Sequence, residues 1–153
     1  METNNRLEHI IEKFRAREYR ITPQRMALLQ ILCTNTEHLN AAELYDEIKP
    51  QFPTTSLATV YKTLAVLKEM GEVLEISLGN DNHYDGYRTT PHPHLICTRC
   101  HKIVDADIAT RQNLTESEMA QALAKRAGYR LTGYRFDIYG LCPACQIPSS
   151  NGE

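Results

Sequence analysis

The chain lacks any apolar run long enough to cross a bilayer, and its first residues have neither the basic start nor the apolar centre of a secretory signal. Those absences predict a cytoplasmic protein with no membrane partner. Internal repeats and low-complexity tracts are also missing. There is no excess of positive charge either: the formal net charge is −2, which by itself points to no nucleic acid. No nucleophile–base pair or general acid stands out. A zinc deaminase needs H-x-E before its cysteines, and His92-Pro93-His94 supplies no glutamate. The protein is not expected to be an enzyme.

What is present is an ordinary globular composition over 153 residues, enough for one domain or two small ones. The positive charge is clustered. Lys13, Arg15, Arg17, Arg20 and Arg25 stand against Glu18 alone in residues 13–25, and Lys62 and Lys68 have no acid between Pro53 and Lys68. Local basic surface steers DNA even when the whole chain is slightly acidic.

Hydrophobic spacing predicts four helices in the first half. The first carries Leu7, Ile10, Ile11 and Phe14 and ends near Arg17. The second opens at Thr22-Pro23, a hydroxyl N-cap followed by proline, and stops near Asn35. The third runs from about Ala41 to Lys49. The fourth opens at Ser56 and ends at Gly71, with Leu57, Val60, Leu64 and Leu67 inward and Thr59, Lys62 and Thr63 pointing elsewhere. Val73–Ser77 and His83–Tyr87 read as a hairpin around residues 79–82. Pro91 and Pro93 make Thr89–Pro93 a hinge. Beyond it, strands are expected at His94–Cys97 and Lys102–Ala106, a helix from about Leu114 to Ala127 with Leu114, Met119 and Leu123 inward, a Gly128 cap, and a long strand over Tyr129–Leu141. The fold class is α+β. It comprises an N-terminal winged helix (residues 1–88), a hinge (89–93), a zinc-containing α/β domain (94–146) and a polar tail (147–153).

The chemistry concentrates between His92 and Asp105. Cys97 and Cys100 form one C-x-x-C pair and Cys142 and Cys145 a second. Together they supply the four thiolates of a tetrahedral structural zinc site. In a reducing compartment such pairs favour metal over disulfide. Cys33 stands alone among apolar residues and reads as a buried small hydrophobe. Cys142-Pro143-Ala144-Cys145 also has the look of a thiol oxidoreductase motif, which keeps a zinc-dependent oxidoreductase as a remote alternative with a reactive Cys142. His92 and His94 alternate, so they share a side in extended chain, and imidazole with carboxylate suits a harder divalent ion than zinc.

Arg20-Ile21-Thr22-Pro23-Gln24-Arg25, Ala58-Thr59-Val60-Tyr61 and His94-Leu95-Ile96-Cys97 with Cys100 and Lys102-Ile103-Val104 resemble the ferric uptake regulator (Fur) family, in order and from the first helix to Cys145. The resemblance implies a metal-dependent, homodimeric repressor with a C-terminal dimerisation domain. It also implies a double-stranded DNA operator, an AT-rich inverted repeat. Carried over by position, the regulatory iron or manganese site would use His38, Asp85, His92, His94 and Asp105, while Arg20, Ser56, Tyr61 and Lys62 would contact DNA. Aspartate at both 85 and 105 is similar to the peroxide-responsive PerR branch, where iron-catalysed oxidation of His38 or His92 would end repression. The alternative is an iron- or manganese-responsive Fur repressor without peroxide chemistry. The interval from Asp85 to His92 is one residue longer than the PerR pattern, which leaves His83 as a substitute for Asp85. Pro91, Pro93 and Tyr134 occupy places where many iron sensors hold an additional metal site.

Overall fold

A computed structural model describes residues 2–106 and 115–147. The chain divides into two compact units, Met1–Thr89 and Thr90–Glu153.

The first unit contains α1 (Glu2–Ala16), α2 (Pro23–Thr34), α3 (Ala41–Ile48) and α4 (Leu57–Glu69), followed by β1 (Leu74–Leu78) and β2 (Asp81–Asp85). Each helix after the first begins where a side chain satisfies an otherwise unpaired amide. At α2 that side chain is Thr22, whose Oγ1 accepts from the Arg25 amide at 3.2 Å, with Pro23 as first helical residue. Asn40 and Glu43 exchange side-chain bonds in a capping box at α3, and Ser56 Oγ accepts from the Thr59 amide at α4. Ile10, Phe14, Leu28, Leu29, Leu44, Ile48, Val60, Leu64 and Leu67 make the core.

The expected stripe of α4 needs correction. Leu57, in the first turn, is 39% exposed, and Thr63 is fully buried. The inward residues are therefore Val60, Thr63, Leu64 and Leu67. Thr63 is tolerated there because its hydroxyl donates to the Thr59 carbonyl at 2.9 Å. The hairpin is shifted as well. β1 and β2 pair from Leu74↔Asp85 to Leu78↔Asp81, so only Gly79 and Asn80 form the turn. Gly79, at φ +63, takes the left-handed conformation that such tight turns demand of their first residue.

Buried Glu72 ties α1 to the segment before the hairpin. Arg6 reaches its carboxylate at 3.1 Å and its carbonyl at 2.8 Å, and Lys13 also pairs with it. Burial works to raise the Glu72 carboxyl, but Lys13 and Arg6 outweigh it and hold it below its ordinary value. Arg6 also donates to the Gly86 carbonyl at 2.7 Å. Gly86 lies so close to α2 that an added Cβ would meet Leu32 Cβ at 2.8 Å and the Leu32 carbonyl oxygen at 2.9 Å. Gly86→Ala should therefore destabilise the first unit by roughly 1–3 kcal/mol, as overpacking against backbone does. Thermal unfolding measures it.

The second unit is a three-stranded sheet in the order β4-β3-β5. β3 (His94–Cys97) is antiparallel to β4 (Ile103–Asp105) and parallel to β5 (Asp137–Gly140). α5 (Glu116–Arg126) lies between β4 and β5 in sequence, and α6 (Pro143–Gln146) is the last described element. Three expectations change. The long strand over Tyr129–Leu141 contracts to Asp137–Gly140, the stretch that finds hydrogen-bond partners on β3. α5 buries none of its residues, and Leu123 is 66% exposed, because no other described element of the unit covers that helix. α6 is additional to the expected elements. Leu114 lies outside the described residues, as does the tail from 148 onward. Gly128, at φ +74, ends α5 as expected.

Candidate metal centres

The four cysteines of the second unit form one group. One sulfur from each of Cys97, Cys100, Cys142 and Cys145 lies within 4.8 Å of the others, and Cys100 Sγ is 3.7 Å from Cys142 Sγ. A tetrahedron with Zn–S bonds near 2.3 Å has edges of about 3.8 Å, so the thiols fit the ion. The first pair sits on a knuckle leaving β3, closed by the His101 amide donating to the Cys97 carbonyl at 3.0 Å, with His101 at φ +65. The second pair follows β5, with Cys142 at the N-cap of α6. The Cys142 amide donates to Cys97 Sγ at 3.4 Å and Arg99 donates to the Cys145 carbonyl at 2.6 Å, so the two pairs brace each other. Amide hydrogens from Cys100 and Cys142 pull the Cys97 thiol down to about 5. Cys145 is pushed up to about 12, chiefly by its hydrogen bond with Cys142. Cys142 does open a short helix after a strand, as a thiol oxidoreductase motif would, but three other sulfurs surround it. Cys33 is buried in the core of the first unit and its thiol is raised by that burial.

A second set of donors lies at the start of β3. His92 and His94 are both buried, with ring centroids 4.4 Å apart. His92 Nδ1 donates to the Thr90 carbonyl at 2.7 Å, which turns Nε2 toward Asp105 Oδ1 at 3.1 Å. His94 Nε2 is 3.5 Å from the same oxygen. Two ring nitrogens and a carboxylate converging on one point form an arrangement that a cation stabilises, and N/O donors of this kind suit iron or manganese. His94 also faces Asp137, with Nδ1 3.3 Å from Oδ1. Asp137 escapes sequence reading. It is 43 residues from His94, and only the β3–β5 register brings the two together.

In the first unit, His38 Nε2 is 3.2 Å from Asp85 Oδ2, and both residues are buried. His38 sits at φ +57, an unusual conformation for a residue with a side chain. Its loop is fastened to β2. His83 Nδ1 donates to the His38 carbonyl at 2.6 Å, the Tyr84 amide donates to the Leu39 carbonyl at 3.0 Å, and Asn40 Nδ2 donates to Asp81 at 2.9 Å. Asp85 Oδ1 accepts from the Tyr87 and Arg88 amides, both at 3.0 Å, which leaves Oδ2 aimed at His38. Asp85 thus meets the His38 ring, whereas His83 meets its backbone.

Of the residues expected to touch DNA, Arg20, Ser56, Tyr61 and Lys62 are all exposed. Ala58, Tyr61, Lys62 and Ala65 share the solvent face of α4. The Ser56 hydroxyl is engaged in capping.

Four helices closed by a hairpin, followed by a sheet unit with a four-thiol cluster, define a two-part metal-binding protein. The model of the ferric uptake regulator family matches residues 16–139, and the chain belongs to that family. It is 36% identical to the peroxide-responsive repressor PerR of Staphylococcus aureus over 92% of this chain and 91% of that one. Among solved structures, the Campylobacter jejuni peroxide stress regulator is 36% identical with a TM-score of 0.68, covering 90% of this chain and 97% of that chain. The Helicobacter pylori ferric uptake regulator has a TM-score of 0.80 over 97% and 96% of the two chains, and at 20% identity this likeness shows the fold. No helix among the described residues is long and apolar enough to cross a membrane.

Proposed function

We propose that this Fur-family protein is a cytoplasmic, homodimeric transcriptional repressor that binds its operator when iron or manganese is loaded and releases it on peroxide. The observation that carries this reading is the aim of the imidazoles. His92 and His94 turn Nε2 to one Asp105 oxygen, and His38 turns Nε2 to Asp85. In our reading these five residues hold one regulatory ion, while Cys97, Cys100, Cys142 and Cys145 hold structural zinc. The identity to PerR supports the peroxide branch.

Ferrous iron, when bound, would activate peroxide by lending an electron that the oxidised ring returns, and manganese would occupy the same residues without that chemistry. The chain supplies the target. His38 and His92 would hold the ion through Nε2, and the neighbouring ring carbon between the two nitrogens is the proposed target. Adding one oxygen to that C–H carbon gives 2-oxo-histidine and reduces one peroxide to water, so atoms and electrons balance. The modified ring is a poorer ligand. Metal holds the operator-binding arrangement only through its better affinity for that arrangement, so losing a ligand ends repression.

The exposed face of α4, with Tyr61 and Lys62, supports entry into a major groove, and Lys62 and Arg20 act as phosphate anchors. A dimer then reads an inverted repeat, AT-rich in our proposal. Exposed Val104, Leu95 and Ile138 align across β4, β3 and β5. With uncovered α5, they supply an apolar face for the second copy.

The test is to load the protein with ferrous iron or manganese, add mild peroxide, and map peptide masses. One added oxygen on His38 or His92, in the iron sample only, is expected, together with loss of operator binding. Unmodified histidines with preserved binding would reduce the protein to a plain iron or manganese sensor. Oxidised cysteines with zinc release would instead make it a thiol-based redox sensor.

A further inference from the structure

We propose that Asp137 is a positioning residue for the regulatory site, orienting His94 and setting its strength as a metal donor without touching the ion. The inference rests on the reading of His94 as a ligand. β3 is the middle strand of its sheet, and His94 pairs laterally with Asp105 on β4 and with Asp137 on β5. One row across the sheet therefore reads Asp105, His94, Asp137. The ring uses both neighbours: Nε2 is 3.5 Å from Asp105 Oδ1, and Nδ1 is 3.3 Å from Asp137 Oδ1.

An uncharged imidazole has one proton and one lone pair. Asp137 accepts the Nδ1 proton, which places the lone pair on Nε2, on the side of Asp105 and His92. His92 reaches the same tautomer by a different partner, the neutral Thr90 carbonyl at 2.7 Å. The two histidines thus differ in what stands behind them. A carboxylate raises the basicity of the far nitrogen and fixes the ring plane, and such outer partners typically change metal affinity by about 10–100-fold. Asp137 is itself held. Its Oδ2 accepts from Arg135 at 3.1 Å, and its side chain is only 15% exposed. That grip keeps Oδ1 on the imidazole and away from solvent.

The experiment uses the 153-residue chain loaded with zinc and manganese as the probe, with zinc content measured in every sample. Variants are Asp137→Ala, Asp137→Asn and, for the ligand reading itself, His94→Ala. Asp137→Ala should weaken manganese binding by roughly 10–100-fold with zinc retained. Asp137→Asn keeps shape and an accepting oxygen but loses the charge, so it should fall between Ala and wild type. Nitrogen NMR of labelled histidine adds a readout that packing alone does not move: His94 should carry its proton on Nδ1 in the wild type and lose that preference in Asp137→Ala. If His94→Ala weakens manganese binding while Asp137→Ala and Asp137→Asn stay within about two-fold of wild type, this proposal is overturned and the ligand reading stands. If His94→Ala changes nothing, the ligand reading falls and takes the proposal with it. Should Asp137→Ala fail to fold, Asp137→Asn decides, and wild-type affinity there overturns the proposal.

Discussion

Cys142→Ser should empty the four-thiol cluster and unfold the second unit while the helices of the first unit persist. The expectation follows from how little else holds that unit among the described residues of a single chain. Its sheet has three strands of three or four residues, and α5 buries none of its side chains. The buried apolar side chains of the sheet are Ile96 and Cys97 on β3. A core so small cannot offset the entropy of ordering the chain. Structural zinc sites contribute on the order of 10 kcal/mol to folding, enough to dominate here. Cys142 is the most informative position because its amide donates to Cys97 Sγ while its own sulfur lies 3.7 Å from Cys100. Its loss cuts the second pair from the first. Zinc content should fall from one per chain to none. Amide exchange should lose protection over β3, β4 and β5 and retain it over α2 and α4. Native alkylation of wild-type Cys142 should be slow until a chelator is added. Rapid alkylation of a zinc-loaded chain, or full protection in the zinc-free variant, would show that the cluster is not structural.

Local chemistry makes the first unit legible before any coordinates. Thr22-Pro23 and Ser56 are caps whose effect reaches three residues, and core positions such as Phe14, Leu29 and Leu64 recur at helical spacing. Sequence and structure part where packing or a distant neighbour decides. Thr63 reads as polar and outward, yet the Thr59 carbonyl satisfies its hydroxyl and allows full burial. Leu123 reads as inward on α5, but no described element of this unit lies over it. Strand length differs for the same reason, since Tyr129–Arg135 has a strand-like composition but is not paired with β3. The candidate metal ligands divide similarly. C-x-x-C pairs announce themselves by spacing, whereas the pairing of His38 with Asp85 and of His94 with Asp137 exists only through folding. His83 illustrates the limit well. Its place in the sequence offers it as a ligand, and folding gives its ring a second task, donating to the His38 carbonyl and fixing the loop that carries His38.

That fixed loop makes His38→Asn the sharpest test of the proposed regulatory site. His38 has φ +57, and asparagine tolerates this left-handed region far better than alanine, so the backbone should survive the exchange. The bonds from His83 and the Tyr84 amide go to main-chain carbonyls and do not depend on the imidazole. What is removed is the ring nitrogen 3.2 Å from Asp85 Oδ2. Under the proposed mechanism, metal acts by binding the operator-competent arrangement more tightly than the alternative, with coupling typically of about 5–150-fold. Manganese should raise wild-type operator affinity by an amount in that range. In His38→Asn the gain should shrink to within about two-fold at the same free manganese, because a chain lacking that donor discriminates less between the two arrangements. Metal-free binding to nonspecific DNA should not change, since on the proposed reading it depends on exposed cations such as Arg20 and Lys62. Thermal unfolding of the metal-free variant should match wild type closely. A variant that folds normally and still gains full affinity from manganese would remove His38 from the regulatory site and leave Asp85 without the partner that gives it a role there.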